Sequence, residues 1–279
     1  MKYLNLPVLA LSAAFVATPT VGLAWDHDDE DEIPFEEGRL FFELNDTDGD
    51  LGIHGKIDGD EWKYLEIEDP RDRKMLHVIV RGRLKRQGLT ELFFESAEPT
   101  FDELDPDKFF RRFPEGEYDI EGVTLDGEER ESEVWLSHII PAAPEATADG
   151  TSDPEGACTC DPEDLDERDT CPDVPVITAA MAADGVTIAW PAVTMSHAEL
   201  GTPGVDITDD VRYYEVVVEI DETDQKATAV VPPTTTSWEV PPAFLAFGDE
   251  IKYEVLVRIN NKDEVPGNKS AIESCFEIE

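Results

Sequence analysis

Positive charge is scarce in this sequence: its 279 residues include 22 Lys and Arg against 65 Asp and Glu, a formal net charge of −43. A protein that binds nucleic acid by neutralising phosphates needs a basic face, so we exclude a nucleic-acid partner. Hydrophobic residues still make up 41% and aromatic residues 9%, which is enough for packed cores and argues against disorder. The length favours two domains.

Long apolar runs are missing after the amino end. Lys2 precedes an apolar stretch at 4–16, and small residues follow at Gly22 and Ala24, the pattern of a secretory signal peptide. We predict cleavage of residues 1–24. No later run approaches the roughly 18 to 20 residues of a membrane span, so we expect a secreted or periplasmic protein without membrane insertion after signal removal.

Cysteine is also rare. An even count in an oxidising compartment favours disulfides. A bridge between Cys158 and Cys160, which only one residue separates, would be strained. We therefore expect one of these two cysteines to pair with Cys171 and the other with Cys275. Which pairs with which stays open, and the spacing does not suit a zinc site. The four residues are Cys158, Cys160, Cys171 and Cys275.

Motifs of catalysis are absent. The sequence has no Gly-x-Ser-x-Gly elbow, no His-Glu-x-x-His and no phosphate-binding glycine loop, and its five histidines have no metal spacing. Acids are so abundant that a pair of glycosidase carboxylates would carry no information. We therefore predict no catalytic residues and no enzyme, with a hydrolase of unknown type as the third alternative.

Two acidic segments divide the chain. Residues 25–37 hold eight acids in thirteen residues and are expected to form a solvated tail, and residues 141–173 hold eleven acids against one base and are expected to form a linker. They bracket predicted domains at 38–140 and 174–279.

The first domain shows the two-residue alternation of strands and one short helical pattern at 101–113, with Pro106 expected at the helix start. This predicts a jelly-roll-like β-sandwich with one short helix. The expected strands are 39–45, 51–57, 62–67, 75–80, 89–94, 118–125 and 133–140.

The second domain carries a family resemblance. Its successive segments read VTIAWP at 186–191, YYEVVV at 213–218, TTSWEV at 235–240 and FGDEIKYEV at 247–255. In order and spacing they resemble a fibronectin type III module, with Trp190 as the core tryptophan and Tyr253 at the tyrosine-corner position. The resemblance implies an all-β sandwich in which both residues are structural, with 267–270 as the turn into the last strand. The fold class is therefore all-β, two β-sandwich domains joined by an acidic linker.

One departure from the resembled pattern is the long connection at 195–212. An enlarged loop on a rigid sandwich is where such scaffolds place binding surfaces. It is equally consistent with an inert insertion, and the sequence leaves both open.

Two patterns suggest metal ligands. Asp46, Asp48 and Asp50 alternate through a glycine-containing turn and can converge on Ca²⁺, although the EF-hand pattern fails at Leu51. Cleavage after Ala24 would also expose a Trp-Asp-His terminus, in which the amine, two amides and His27 suit Cu(II). The alternatives are a common acidic turn and a polar residue in an acidic tail.

Two further features have a binding interpretation and a structural one. Residues 71–86 hold seven bases and can bind an anion such as the protein's own acidic tail, or they are neutralised by cross-strand pairs with Glu66, Glu68 and Glu91. Trp62 and Trp135 can stack on sugars or pack half-buried on strands.

These observations predict an exported, non-catalytic binding or adhesion protein that recognises a protein or a polysaccharide at the cell envelope. We predict no cofactor, with Ca²⁺ at the aspartate turn as the candidate exception. A carbohydrate-binding accessory module is the alternative function. The acidity suggests a cationic or cation-bridged partner, and a saline habitat would explain it equally well.

Overall fold

The computed structural model describes residues 33–152, 158, 174–221, 223 and 225–279. These described residues form a compact unit. The predicted signal peptide lies outside the described residues, as do most of the predicted tail and most of the predicted linker.

Strands dominate the described residues, which confirms the predicted all-β sandwich fold. The strands are β1 (Glu37–Asn45), β2 (Asp50–Asp69), β3 (Arg73–Ile79), β4 (Leu89–Glu95), β5 (Gly116–Thr124), β6 (Glu129–Leu136), β7 (Thr147–Ala148), β8 (Val176–Ile177), β9 (Val186–Ala189), β10 (Val211–Ile220), β11 (Gln225–Val231), β12 (Ser237–Val240), β13 (Glu250–Asn260) and β14 (Pro266–Ile278). The helices are α1 (Gly82–Gln87), α2 (Pro106–Arg112), α3 (Ala179–Ala182) and α4 (Pro242–Leu245).

Helix α2 begins where its sequence predicts. Pro106 occupies the first turn, where no backbone N–H is required. The Asp105 carboxylate caps the helix by accepting a hydrogen bond from the Asp107 amide at 2.9 Å. Phe109 and Phe110 then pack on Phe42, with ring centroids 5.4 and 5.7 Å apart.

The long strand β2 organises the amino-terminal half. Its first part, up to Asp58, pairs with β1 on one side and β4 on the other, and its second part pairs with β5 and β3. The register shifts between Asp58 and Trp62. This bend folds the sheet over a core that contains Phe42, Trp62 and Tyr118, each fully buried.

The carboxy-terminal half is a sandwich of the kind that the resemblance implies. A three-stranded sheet in the order β12-β9-β7 faces the strands β11-β10-β13-β14. Trp190 and Tyr253 both lie in the core between them, and the Trp190 ring is 5.3 Å from that of Tyr214.

Some residues expected in acidic segments belong to the folded body. Phe35, expected in the tail, is 6% exposed and packs over Gly59 and Gly122. In the expected linker, Ala146 and Ala148 are buried, and residues 147–148 form β7 beside β9. The high acid content of these stretches predicted solvated segments, although the apolar residues between the acids are buried.

A single sheet runs through both halves. Within the described residues its order is β11-β10-β13-β14-β1-β2-β5-β6, because β1 pairs in parallel with β14 at Glu43–Lys269, Leu44–Ser270 and Asn45–Ala271. The hydrophobic side chains nevertheless fall into two clusters, one in each half.

Candidate functional site

A groove lies on the outer face of the shared sheet. Its volume is about 320 Å³. Asp48, at the β1–β2 turn, meets residues of β10, β11, β13 and β14 there. The charged side chains that line it are Asp48, Glu219, Lys226, Lys252, Glu254 and Glu273.

Carboxylates crowd the floor of this groove. Glu254 lies directly opposite Glu273 in the β13–β14 register, a pairing of like charges that destabilises a sheet. Burial, more than the neighbouring acids, raises the pKa of Glu254 to about 7, although Lys269 opposes this. Burial also raises the pKa of Glu273, with repulsion from Asp48 the next cause. The groove therefore favours a cationic or proton-donating ligand.

Lysines at the groove's rim are held by acids. The Lys226 ammonium lies 2.7 Å from Glu219, and the Lys252 ammonium lies 2.8 Å from Asp221. These ion pairs are solvent-exposed, so they are weak and can rearrange around a ligand.

The aspartates of the predicted calcium turn have separate contacts. Asp46 lies 3.2 Å from the His197 ring, and Asp48 accepts a hydrogen bond from the Asn45 amide at 3.1 Å. Burial and the nearby Glu98 raise the pKa of Asp50 to about 6. Among the described residues, ligand atoms of these three do not lie within 4.8 Å of one another. Calcium binding here stays a prediction.

A different set of ligand-type side chains does come together. Glu43, His54 and Glu98 each offer an atom within 4.8 Å of the others. His54 Nε2 is 2.9 Å from the Glu98 carboxylate and 3.2 Å from that of Glu43. Sequence reasoning missed this cluster because its members come from β1, β2 and the segment after β4. The alternation of β1 and β2 could have placed Glu43 and His54 on one face, but the sequence gives no signal for Glu98.

The basic segment is only partly neutralised. Lys74 contacts the buried Glu66, and the Arg73 guanidinium donates to Asp69 at 2.9 Å. The bases of α1 are exposed, and none makes an ion pair with a carboxylate among the described residues. Of the expected cross-strand partners, Glu66 is used, whereas Glu91 lies 3.6 Å from Lys56 instead.

The two candidate tryptophans differ in exposure. Trp62 has no exposed surface and belongs to the amino-terminal core, so of the two roles that its sequence position left open, sugar stacking and packing, it has the packing role. The alternation of β2 turns this ring inward. Trp135 is partly exposed, but the Lys262 ammonium lies over its ring, 3.8 Å from the centroid.

The structure contains one of the expected disulfides, between Cys158 and Cys275. This confirms that one cysteine of the Cys-Thr-Cys segment bonds to the last strand. Cys160 and Cys171 lie outside the described residues, and so does His27.

The long connection at 195–212 packs against the amino-terminal half. His197 N–H donates to the Ile140 carbonyl at 2.7 Å, and Thr202 N–H donates to the His138 carbonyl at 2.8 Å. Leu200 joins the amino-terminal cluster. Gly201 has φ of +63°, and a Cβ there would lie 2.0 Å from the His138 carbonyl oxygen, so only glycine fits. The loop fastens the two halves together.

Comparisons with known proteins give distant structural similarity alone. No protein-family model and no curated protein matches the chain. One similar solved structure comes from work on the host cell surface retention of a 1.5-MDa bacterial ice-binding adhesin. The match covers 89% of this chain and 66% of that one, with 14% identity and a TM-score of 0.25. The chain thus spans slightly less than two thirds of that structure.

Two further solved structures are similar at the same level. Chicken CNTN1 domains FN1–FN3 match 88% of this chain and 69% of their own, with 10% identity and a TM-score of 0.27. The fibronectin(III)-like modules of Clostridium thermocellum CbhA match 90% of this chain and 92% of their own, with 10% identity and a TM-score of 0.25. Similarity at this level says nothing about ligand or activity.

None of the helices among the described residues is long and apolar enough to cross a bilayer.

Proposed function

We propose that this chain is an exported, non-catalytic binding or adhesion protein that recognises a protein or a polysaccharide at the cell envelope. The observation that carries the proposal is the groove on the sheet shared by both halves, with carboxylates on its floor and lysines at its rim. Strands position these side chains, and the fastened loop at 195–212 holds the two halves of the sheet together. Such a surface can recognise a ligand without rearrangement of its backbone.

The charge of the groove favours one class of partner. Four carboxylates against two ammonium groups leave the surface negative, and the net charge of −43 adds a long-range attraction for cations. A basic protein segment fits this surface best. A polysaccharide is the second candidate, through hydrogen bonds to the same carboxylates, but burial of Trp62 removes one of the two stacking residues on which a carbohydrate-binding module was predicted.

The test is binding of the chain from residue 25 onward to immobilised envelope proteins and, separately, to envelope polysaccharides. The groove variant carries Glu254→Gln and Glu273→Gln, and the matched control carries Glu103→Gln and Glu129→Gln, which remove the same number of carboxylates from exposed sites elsewhere. We expect saturable binding to protein that weakens with salt and is lost in the groove variant alone. Equal binding by both variants, or no binding to either fraction, contradicts the proposal.

Calcium assistance is tested on the same protein. Adding Ca²⁺ to metal-free chain should raise its melting temperature if the aspartate turn binds the ion, because a ligand bound only to the native state stabilises it. Asp48→Asn should remove the increase. An unchanged melting temperature at millimolar Ca²⁺ excludes calcium as a cofactor.

A further inference from the structure

We propose that Glu43, His54 and Glu98 form a binding site for a transition-type divalent cation such as Zn²⁺. The His54 side chain is the centre of the cluster and is 3% exposed. Its Nε2 atom faces both carboxylates, at 2.9 and 3.2 Å.

The fold builds a place for each ligand. Antiparallel pairing of β1 with β2 sets Glu43 opposite Gly52, and alternation along β2 puts Asp50, Gly52 and His54 on one face. The Glu98 carboxylate lies across Gly52, where a Cβ would be only 2.2 Å from its Oε1 atom. A side chain at position 52 would therefore displace Glu98 from His54.

The segment that carries Glu98 is fixed to β2. Ser96 N–H donates to the Ile53 carbonyl at 3.0 Å, and the Ser96 hydroxyl accepts from the Ile53 amide at 3.0 Å. These two bonds hold the segment beside β2, two residues before Glu98. The carboxylate is thus preorganised next to the imidazole.

Negative charge exceeds positive charge on one side of the cluster. Lys269 contacts Glu43, and the Arg258 guanidinium lies over the Phe41 ring that stacks on His54. Neither Glu98 nor Asp50 pairs with a lysine or arginine among the described residues. A buried oxygen of Asp50 also has no hydrogen-bond partner there. A divalent cation beside Glu98 would compensate this excess.

Ligand chemistry and spacing favour Zn²⁺ over Ca²⁺. An imidazole nitrogen suits zinc, cobalt, nickel and copper, whereas calcium and magnesium prefer oxygen alone. Tetrahedral zinc with bonds of about 2.0–2.1 Å separates its ligand atoms by about 3.4 Å. At 2.9 and 3.2 Å, the two separations from Nε2 are shorter than that value by about 0.5 and 0.2 Å, so a small outward shift of the carboxylates would admit the ion.

Zn²⁺ binds the lone pair of Nε2, so Nε2 carries no proton in the complex. With Zn²⁺ on Nε2, the remaining ring proton sits on Nδ1, which is buried without a partner among the described residues. A hydrogen-bond acceptor for the second ring nitrogen of a ligating histidine strengthens metal binding, and His54 has no such acceptor among the described residues. We therefore expect micromolar rather than tighter affinity.

The experiment is calorimetric titration of ZnCl₂ into the metal-free chain from residue 25 onward. All proteins carry His27→Gln, which removes the competing amino-terminal site. We expect one Zn²⁺ per chain, a Co²⁺ complex with tetrahedral visible absorption, and no comparable heat from CaCl₂. Absence of saturable Zn²⁺ binding, or equal binding of Ca²⁺, overturns the proposal without any variant.

Variants locate the site. Glu98→Gln and Gly52→Ala should each weaken Zn²⁺ binding by at least about tenfold. Glu91→Gln is the matched control, because it removes an exposed carboxylate of β4 whose contact is Lys56. Binding that survives both site variants places the ion elsewhere and refutes the assignment.

Discussion

Replacement of Asn268 by alanine should destabilise the whole protein. This side chain of β14 is 3% exposed and joins the two halves by three hydrogen bonds. Its Oδ1 accepts from the Phe42 amide at 2.8 Å, and its Nδ2 donates to the carbonyls of Ser137 and Ile139 at 2.8 and 2.9 Å.

The magnitude follows from the groups that the substitution leaves behind. A buried polar group without a partner costs about 1–3 kcal/mol, and three such groups remain in Asn268→Ala. Their effects are not additive, so we expect a loss of about 3–5 kcal/mol in the free energy of unfolding. For a domain of ordinary stability, about 5–15 kcal/mol, this is a large fraction.

Urea unfolding followed by tryptophan fluorescence measures the loss. Asn45→Ala is the control, since its hydrogen bonds to Asp48 and Glu273 are at the exposed surface, and it should cost less than about 1 kcal/mol. If Asn268→Ala costs no more than this control, the three bonds do not hold the halves together.

Three further substitutions test other parts of the structure. Gly201→Ala should lower the urea midpoint well below that of Gly204→Ala, since both have positive φ but only Gly201 would bring its Cβ within 2.0 Å of a backbone carbonyl oxygen. Burial raises the pKa of Glu254 from 4.5 to about 7, so ionising this carboxylate costs more free energy in the folded protein than in the unfolded chain. The melting temperature of the wild type should therefore fall as pH rises through that range, and Glu254→Gln should lack this part of the fall. Cys275→Ser opens the bond to Cys158, 117 residues away, and should cost about 2–5 kcal/mol in urea unfolding.

Periodicity along the chain predicted most strands of the amino-terminal half and the start of α2. It failed at β2, which was expected as two strands separated by the Asp58-Gly59 turn signal. In the structure β2 continues through Gly59, because partners on both sides of the strand hold it extended before and after the bend. Local turn propensity was overruled by pairing that no local pattern reveals.

Burial was harder to predict than strand position. Alternation shows that two sets of side chains face opposite ways, but it does not show which set faces the core. The role of Trp62 was accordingly left open between sugar stacking and packing, and the structure places the ring on the inner face. The Glu43, His54 and Glu98 cluster was missed for a related reason, since its geometry depends on register and on a segment that follows β4.

The junction between the halves was the least predictable feature, because it is polar. Residues 267–270 read as a turn into the last strand, yet β14 already begins at Pro266 and uses this stretch to join β1. A free β14 edge would expose unpaired backbone groups to other chains, and β1 covers part of that edge. Only three residue pairs do so, and Asn268 and Lys269 extend the contact through their side chains. The same residues that look like a solvent-exposed turn in the sequence therefore join the strands of both halves into one sheet, with the acidic groove on its outer face.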